Sequence, residues 1–281
     1  MISDFQTNKV YFSERLKTDL RFAATCNEIT KILDSFEVRY DFLEKTKDIW
    51  ARDYMPIQVS EDKFVEYRYD PDYLLSTAKG DRDSKTYPDI VCDWLNQKTI
   101  KTDIILDGGN VIKSKNCVIL TDKIVTENQY CYDKTKLVKH LEELFEVEHV
   151  ILIPWPKEEP YGHTDGMLRF IDEKTVLINE VEKTSTLEKL LKDHGLNCEY
   201  LRYNTKKKNK NYWAYINFLQ TKDLILLPKF NAEEDEQAFE KMKIYYPDYA
   251  RNNRIVLADM TKIVKEGGAL NCISWTIKRS L

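Results

Sequence analysis

Phe22, Cys26, Ile29 and Leu33 recur at helical spacing, with Asn27, Glu28, Lys31 and Asp34 between them, so the pattern predicts an amphipathic helix over Arg21 to Ser35. Phe36, Val38 and Tyr40 then alternate with Glu37 and Arg39, the period-two signature of a half-buried strand. Apolar runs of strand length follow at Ile104–Leu106, Cys117–Leu120, Val150–Ile153, Val176–Ile178 and Leu224–Leu227. Helical patterns lie between them at Thr135–Phe145, Leu187–His194 and Glu234–Tyr245. This alternation, unbroken by any long flexible linker, predicts an α/β fold in one unit spanning residues 1–281. No internal repeat stands out by residue identity.

Composition narrows the function classes. A hydrophobic content of 42% with 8 Gly and 8 Pro supports a packed globule. Basic and acidic residues number 43 and 47, a net charge of −4, so no global field selects nucleic acid or an anionic membrane, and neither is expected as a partner. The basic run Lys206-Lys207-Lys208-Asn209-Lys210 reads as a solvated loop. Met1 to Val10 holds no apolar run of signal-peptide length and no stretch approaches ~18 apolar residues, which points to a cytoplasmic protein. The six cysteines, Cys26, Cys92, Cys117, Cys131, Cys198 and Cys272, form no CxxC pair, which disfavours a zinc site and a disulfide framework. Nothing in the pattern selects an oligomeric state.

Four separated segments carry the candidate chemistry. Asp107 follows an apolar run and precedes Gly108-Gly109, which puts a carboxylate at a strand end where backbone can approach closely; an ordinary turn is the plain alternative. His163 and Asp165 are separated by one residue, and in extended backbone both side chains leave the same face. Only four histidines exist and none of the others lies near His163 at ligand spacing, so no metal is expected. Asp53 follows Trp50 and Arg52 and precedes Pro56, where the alternative is an exposed ion pair of Arg52 with a neighbour. Cys272 follows Gly267-Gly268 and Asn271, against the default of a buried apolar thiol. A cysteine protease also combines thiol, imidazole and carboxylate, but has no need of two further aspartates.

Read together, Trp50-Ala-Arg-Asp-Tyr-Met-Pro56, Asp107-Gly-Gly-Asn110, Gly162-His-Thr-Asp-Gly-Met-Leu-Arg-Phe170, Tyr215-Ile-Asn-Phe-Leu219 and Gly267-Gly-Ala-Leu-Asn-Cys272 resemble the agmatine deiminase and bacterial-type peptidyl-arginine deiminase family. The resemblance runs from about residue 46 to about residue 276, with the motifs in the family's order. It implies the pentein fold, an α/β propeller of five ββαβ-like units around a pseudo-fivefold axis. It also implies hydrolytic deimination of a small guanidine without a cofactor, with agmatine, giving N-carbamoylputrescine and ammonia in polyamine biosynthesis, as the leading substrate. Arginine or peptidyl-arginine deimination, amidino transfer to an amine, and guanidine binding without turnover are the alternatives.

By match to the motifs, Cys272 would be the nucleophile, His163 the general acid and base, and Asp107 the carboxylate that orients the histidine. Asp53 and Asp165 would bind the guanidinium nitrogens, Trp50 would cover the aliphatic stem, and Asn217 would lie beside the substrate. Three positions depart from the pattern: Met55 replaces the usual Gly, Asp107 the usual Glu, and Asn271 the usual His before the nucleophile. Trp50, Tyr54, Arg68, Tyr69 and Asp70 are near enough in sequence to sort the substrate's far end. Arg68 reaching the pocket would favour an α-carboxylate, and a surface Arg68 would not.

Overall fold

Strand pairs that turn back sharply and then cross over through a helix recur five times along the chain. The computed structural model describes residues 1–74, 82–156, 159, 161–205 and 210–280; positions 206–209 of the basic run lie outside them. The strands are β1 (Lys9–Ser13), β2 (Arg39–Leu43), β3 (Ile57–Gln58), β4 (Phe64–Arg68), β5 (Ile100–Ile105), β6 (Ile112–Lys113), β7 (Cys117–Thr121) and β8 (His149–Ile153). They continue with β9 (Leu168–Phe170), β10 (Thr175–Asn179), β11 (Asn197–Leu201), β12 (Leu219–Gln220), β13 (Ile225–Lys229), β14 (Ile255–Asp259) and β15 (Ser274–Ile277).

They form five three-stranded sheets among the described residues: β3-β4-β5, β6-β7-β8, β9-β10-β11, β12-β13-β14 and β15-β1-β2. In each, the first strand is antiparallel to the central one and the third is parallel to it. A parallel neighbour needs a crossover, and helices supply it: Ala23–Ser35, Pro88–Trp94, Lys134–Phe145, Ser185–Asp193 and Glu234–Tyr245. The fifth sheet joins chain segments far apart in sequence, because β15 pairs with β1 in the register Lys9 to Ile277.

The apolar runs predicted as strands are strands because their residues are buried along their length, as in β7 and β10. The crossover helices cover them with one face each. Leu137, Leu141 and Phe145 pack in one core with Val118, Leu120 and Val150, while Leu187 and Leu191 join Ile119, Ile151, Ile153 and Val176 in another. The helix expected from Arg21 begins at Ala23. The strand expected over Phe36–Tyr40 is shifted to Arg39–Leu43, because Phe36 caps the helix and Glu37 takes a left-handed turn with φ of 55°. The run at Ile104–Leu106 is only the end of a strand that begins at Ile100. No helix among the described residues is long and apolar enough to cross a membrane.

Candidate functional site

A short segment precedes the first strand of every sheet, and the five segments meet. Helical turns at Ala51–Tyr54, Gly108–Asn110, Thr164–Gly166 and Tyr212–Ile216 lead into β3, β6, β9 and β12, and the loop from Gly267 to Ile273 leads into β15. Each turn is followed by an extended strand, and the residues in it or at its ends carry the polar side chains: Asp53 and Asp165 lie within their turns, Asp107 and His163 cap the starts of theirs, and Asn217 caps the end of its own. Asp53, Asp107, the pair His163 and Asp165, Asn217, and Cys272 come from these five places in turn. Main-chain bonds stitch the segments together: Arg52 N–H donates to the Cys272 carbonyl at 3.0 Å, and Asn271 N–H to the Asn217 carbonyl at 3.0 Å.

The structure corrects two readings of these segments. Arg52 is buried, with its guanidinium on the Asn271 carbonyl and the Thr276 hydroxyl, so it makes no exposed ion pair. His163 and Asp165 are not in a continuous strand; His163 has extended backbone and Asp165 sits in the helical turn that follows. Both nevertheless line a common cavity.

The imidazole of His163 lies between two carboxylates. Its Nε2 is 3.2 Å from Asp107 Oδ2 and its Nδ1 is 3.7 Å from Asp53 Oδ1. Burial disfavours the imidazolium, but Asp53, Asp107 and Asp165 together outweigh it and raise the ring well above the usual histidine range. Burial likewise raises Asp53, against the pull of His163 and with the push of the neighbouring aspartates. Gly109 makes this crowding possible: its N–H donates to Asp53 Oδ1 at 3.1 Å, and a Cβ there would lie 2.7 Å from His163 Nδ1.

The Cys272 thiol donates to Asp165 Oδ2 at 3.5 Å rather than to the imidazole. Burial and the carboxylates of Asp165 and Asp53 push it well above the ordinary thiol range. The Asn271 side chain donates to the same Asp165 oxygen at 2.7 Å, so this departure from the family pattern braces the carboxylate. Asn217 is fully buried behind the cysteine. Its Oδ1 accepts from the N–H groups of Asn271 and Cys272 at 3.0 and 3.2 Å, so it shapes the Cys272 loop from behind. Met55 is buried in ordinary extended backbone that has no need of glycine.

Two cavities meet at the sulfur. One of about 650 Å³ is lined by Asp48, Trp50, Asp53, Tyr73, His163 and Cys272 among others. The other, of about 770 Å³, has Trp155, Trp213 and Asp165 on its walls, and shares Tyr161, His163 and Cys272 with the first. Arg68 lies on the surface, paired with Asp70 at 2.8 Å. Among the described residues no group of three or more His, Cys, Asp or Glu side chains could hold a metal ion.

Sequence reasoning missed several residues here. Asp48 gave no signal beyond its proximity to Trp50. Its carboxyl, which accepts from the Trp50 N–H at 2.9 Å, is pushed up to about 7 by burial, and among the described residues no ion pair relieves it. Tyr161, one residue ahead of the Gly162–Phe170 segment, is a wall common to both cavities. Glu159 accepts from the N–H groups of Tyr161, Gly162 and His163, fixing the approach to the histidine.

Known proteins share this fold. The C. jejuni agmatine deiminase superposes with a TM-score of 0.77 at 17% identity, over 100% of this chain and 96% of that one. DDAH from Pseudomonas aeruginosa superposes with a TM-score of 0.60 at 12% identity, over 96% and 99%. In sequence, a Mycoplasma capricolum protein named "Putative agmatine deiminase" is 23% identical over 225 residues; the match spans 66% of this chain and 60% of that one, under two thirds of the relative's length. The structural likenesses establish the pentein fold that the motifs implied. The sequence profile of the Porphyromonas-type peptidyl-arginine deiminases matches residues 1–277, which takes in every segment that reaches the central site, and the chain therefore belongs to that family.

Proposed function

We propose that this chain is a guanidine deiminase that hydrolyses a small guanidine with a cationic tail, agmatine foremost, in the cytoplasm. The observation that carries the reading is the Cys272 thiol 3.5 Å from Asp165, on a cavity wall it shares with His163 and Asp53. A guanidinium is flat, permanently charged and a poor electrophile, and its N–H fork matches carboxylates. Asp53 and Asp165 would take its two edges and hold the central carbon over the sulfur.

Its positive charge would offset the carboxylates that keep the thiol protonated, so binding itself would favour the thiolate, the thiol proton passing to solvent through the open cavity as the cation enters. Sulfur then bonds to the guanidinium carbon, giving a tetrahedral adduct. His163, held as imidazolium by its aspartates, protonates the departing nitrogen; the C–N bond breaks and ammonia leaves an amidino-thioether on Cys272. The now neutral imidazole removes a proton from water. Hydroxide adds to the same carbon, the C–S bond breaks, and a ureido product leaves with the thiol restored. From agmatine the products would be N-carbamoylputrescine and ammonia.

The tail argument rests on Asp48. It lines the same cavity as Trp50 and Asp53, and a half-buried carboxylate with no ion pair among the described residues suits a primary ammonium. One observation favours a second substrate, free arginine. Arg15 lines this cavity with its guanidinium bonded, among the described residues, to the Thr46 carbonyl at 3.3 Å and to no carboxylate, so an α-carboxylate would find a partner there. Agmatine, arginine, blocked arginine and methylated arginines, each scored for ammonia, decide between them. Ammonia from agmatine, and none from a Cys272→Ser variant, is the expected result; ammonia from none of them rejects the deiminase reading. An amine added to the assay tests amidino transfer by the appearance of a new guanidine.

A further inference from the structure

Behind the histidine and its carboxylate lies a buried cation that no motif announces. Lys123 is only 2% exposed, yet its Nζ stands 3.6 Å from Asp107 Oδ2, 2.8 Å from Glu127 and 3.0 Å from Asp72. The Asp107 oxygen it approaches is the one that bonds His163 Nε2. The lysine stem runs under the histidine segment: a Cβ on Gly162 would lie 2.4 Å from Lys123 Cδ, and Gly162 has a φ of +70° that a side chain would strain. The other end of the contact reaches the cavity. Asp72 belongs to the turn Asp72–Leu74, whose Tyr73 and Leu74 line the first cavity, and the ammonium also faces the Tyr73 ring at 5.6 Å.

We propose that Lys123 is a positioning residue that sets the proton affinity of His163 through Asp107 and ties that carboxylate to the Tyr73 wall of the cavity. His163 faces Asp53, Asp107 and Asp165, with the rings of Tyr73 and Tyr161 beside it and Glu159 on its backbone N–H. Three carboxylates around one imidazole would hold its proton too firmly for a group that must also give it away. A cation on the far side of Asp107 draws on the same oxygen and weakens that hold. Glu127, one turn along the same helix, and Asp72, on another segment, limit how strongly the lysine does so. Burial would strip Lys123 of its proton if it stood alone, but Asp107, Glu127 and Asp72 keep it charged.

The kinetic consequence rests on the acid–base role assigned to His163, but the ring titration is independent of turnover. With four histidines in the chain, ¹⁵N-histidine NMR can follow each ring, and His163→Asn identifies the signal. In the full-length protein Lys123→Met is expected to raise the His163 midpoint by roughly one unit, and Glu127→Gln, which frees the lysine to act on Asp107, to lower it by roughly half a unit. On the guanidine that the substrate panel identifies, kcat of Lys123→Met should fall about tenfold as proton release slows, with its pH profile displaced in the same sense. Asp72→Asn should raise KM several-fold and displace that profile in the same sense as Glu127→Gln, by less because Asp72 is the more exposed of the two. A His163 midpoint unchanged in Glu127→Gln, a variant that keeps the lysine and the fold, overturns the proposal. So does a Lys123→Met protein that only melts earlier. If no guanidine is turned over, the functional reading fails while the NMR shifts still decide the role of Lys123.

Discussion

Sγ of Cys272 lies 3.5 Å from Oδ2 of Asp165, so the hydrogen-bond partner of the sulfur is an anion. Burial and an acidic neighbour both favour the neutral thiol, the less nucleophilic form. The first expectation follows for alkylation. Inactivation by iodoacetamide without substrate should reach its half-maximal rate well above the ~8.5 of a free thiol. A midpoint below ~8 would show that the site ionises the cysteine on its own, leaving substrate charge no role in activation.

Asp165→Asn should separate reactivity from turnover. Removing the negative charge beside the sulfur lowers the alkylation midpoint, while the guanidinium loses one edge of its clamp. The expected loss in kcat/KM is about 3–5 kcal/mol, and Asp53→Asn should lose a similar amount. Steady-state kinetics beside alkylation rates give the test. A variant slow in both measurements would mean that Asp165 does no more than hold the loop.

Asp48→Asn should stabilise the protein at alkaline pH and weaken agmatine binding. The folded carboxyl is raised to about 7 by burial, whereas an unfolded aspartate titrates near ~3.9. The stability linked to its proton is complete below about pH 4 and is lost as pH rises through the folded value. Asparagine escapes that loss, so thermal melts should show a gain of about 2 kcal/mol near pH 8 that vanishes near pH 4. KM for agmatine should rise at the same time; an unchanged KM would take the tail away from Asp48.

Asn217→Ala should destabilise by about 1–3 kcal/mol, because the buried N–H of Cys272 loses its acceptor while that of Asn271 keeps only the Asn217 carbonyl. Denaturant titration reads this directly. Activity should fall with the loop's order, and full activity at wild-type stability would contradict the place of Asn217 behind Cys272.

Much of this was legible in the chain. Cys117–Thr121 and Thr175–Asn179 announced themselves because strands buried along their length need an apolar run. The stretch Phe64–Arg68 did not, since Glu66 is buried in a strand through Thr99 and Lys101 and breaks the pattern. The residues at the site were readable only as a set. Each sits in a single turn too short for periodicity, and what unites them is position ahead of a strand. Lys123 and Glu127 were hidden for a different reason. At four residues' spacing on a helix they look like an ordinary solvated pair, and only tertiary packing reveals that water is excluded.

The pairing of β15 with β1 ties the residues just after Cys272 to a strand some 260 positions earlier, as Phe12 opposite Ser274 illustrates. Contacts of such sequence separation are slow to form, because a long loop must close before any of them is rewarded. Refolding from denaturant should therefore recover helix signal well before catalytic power. The chemistry would appear last, at the moment the ring locks.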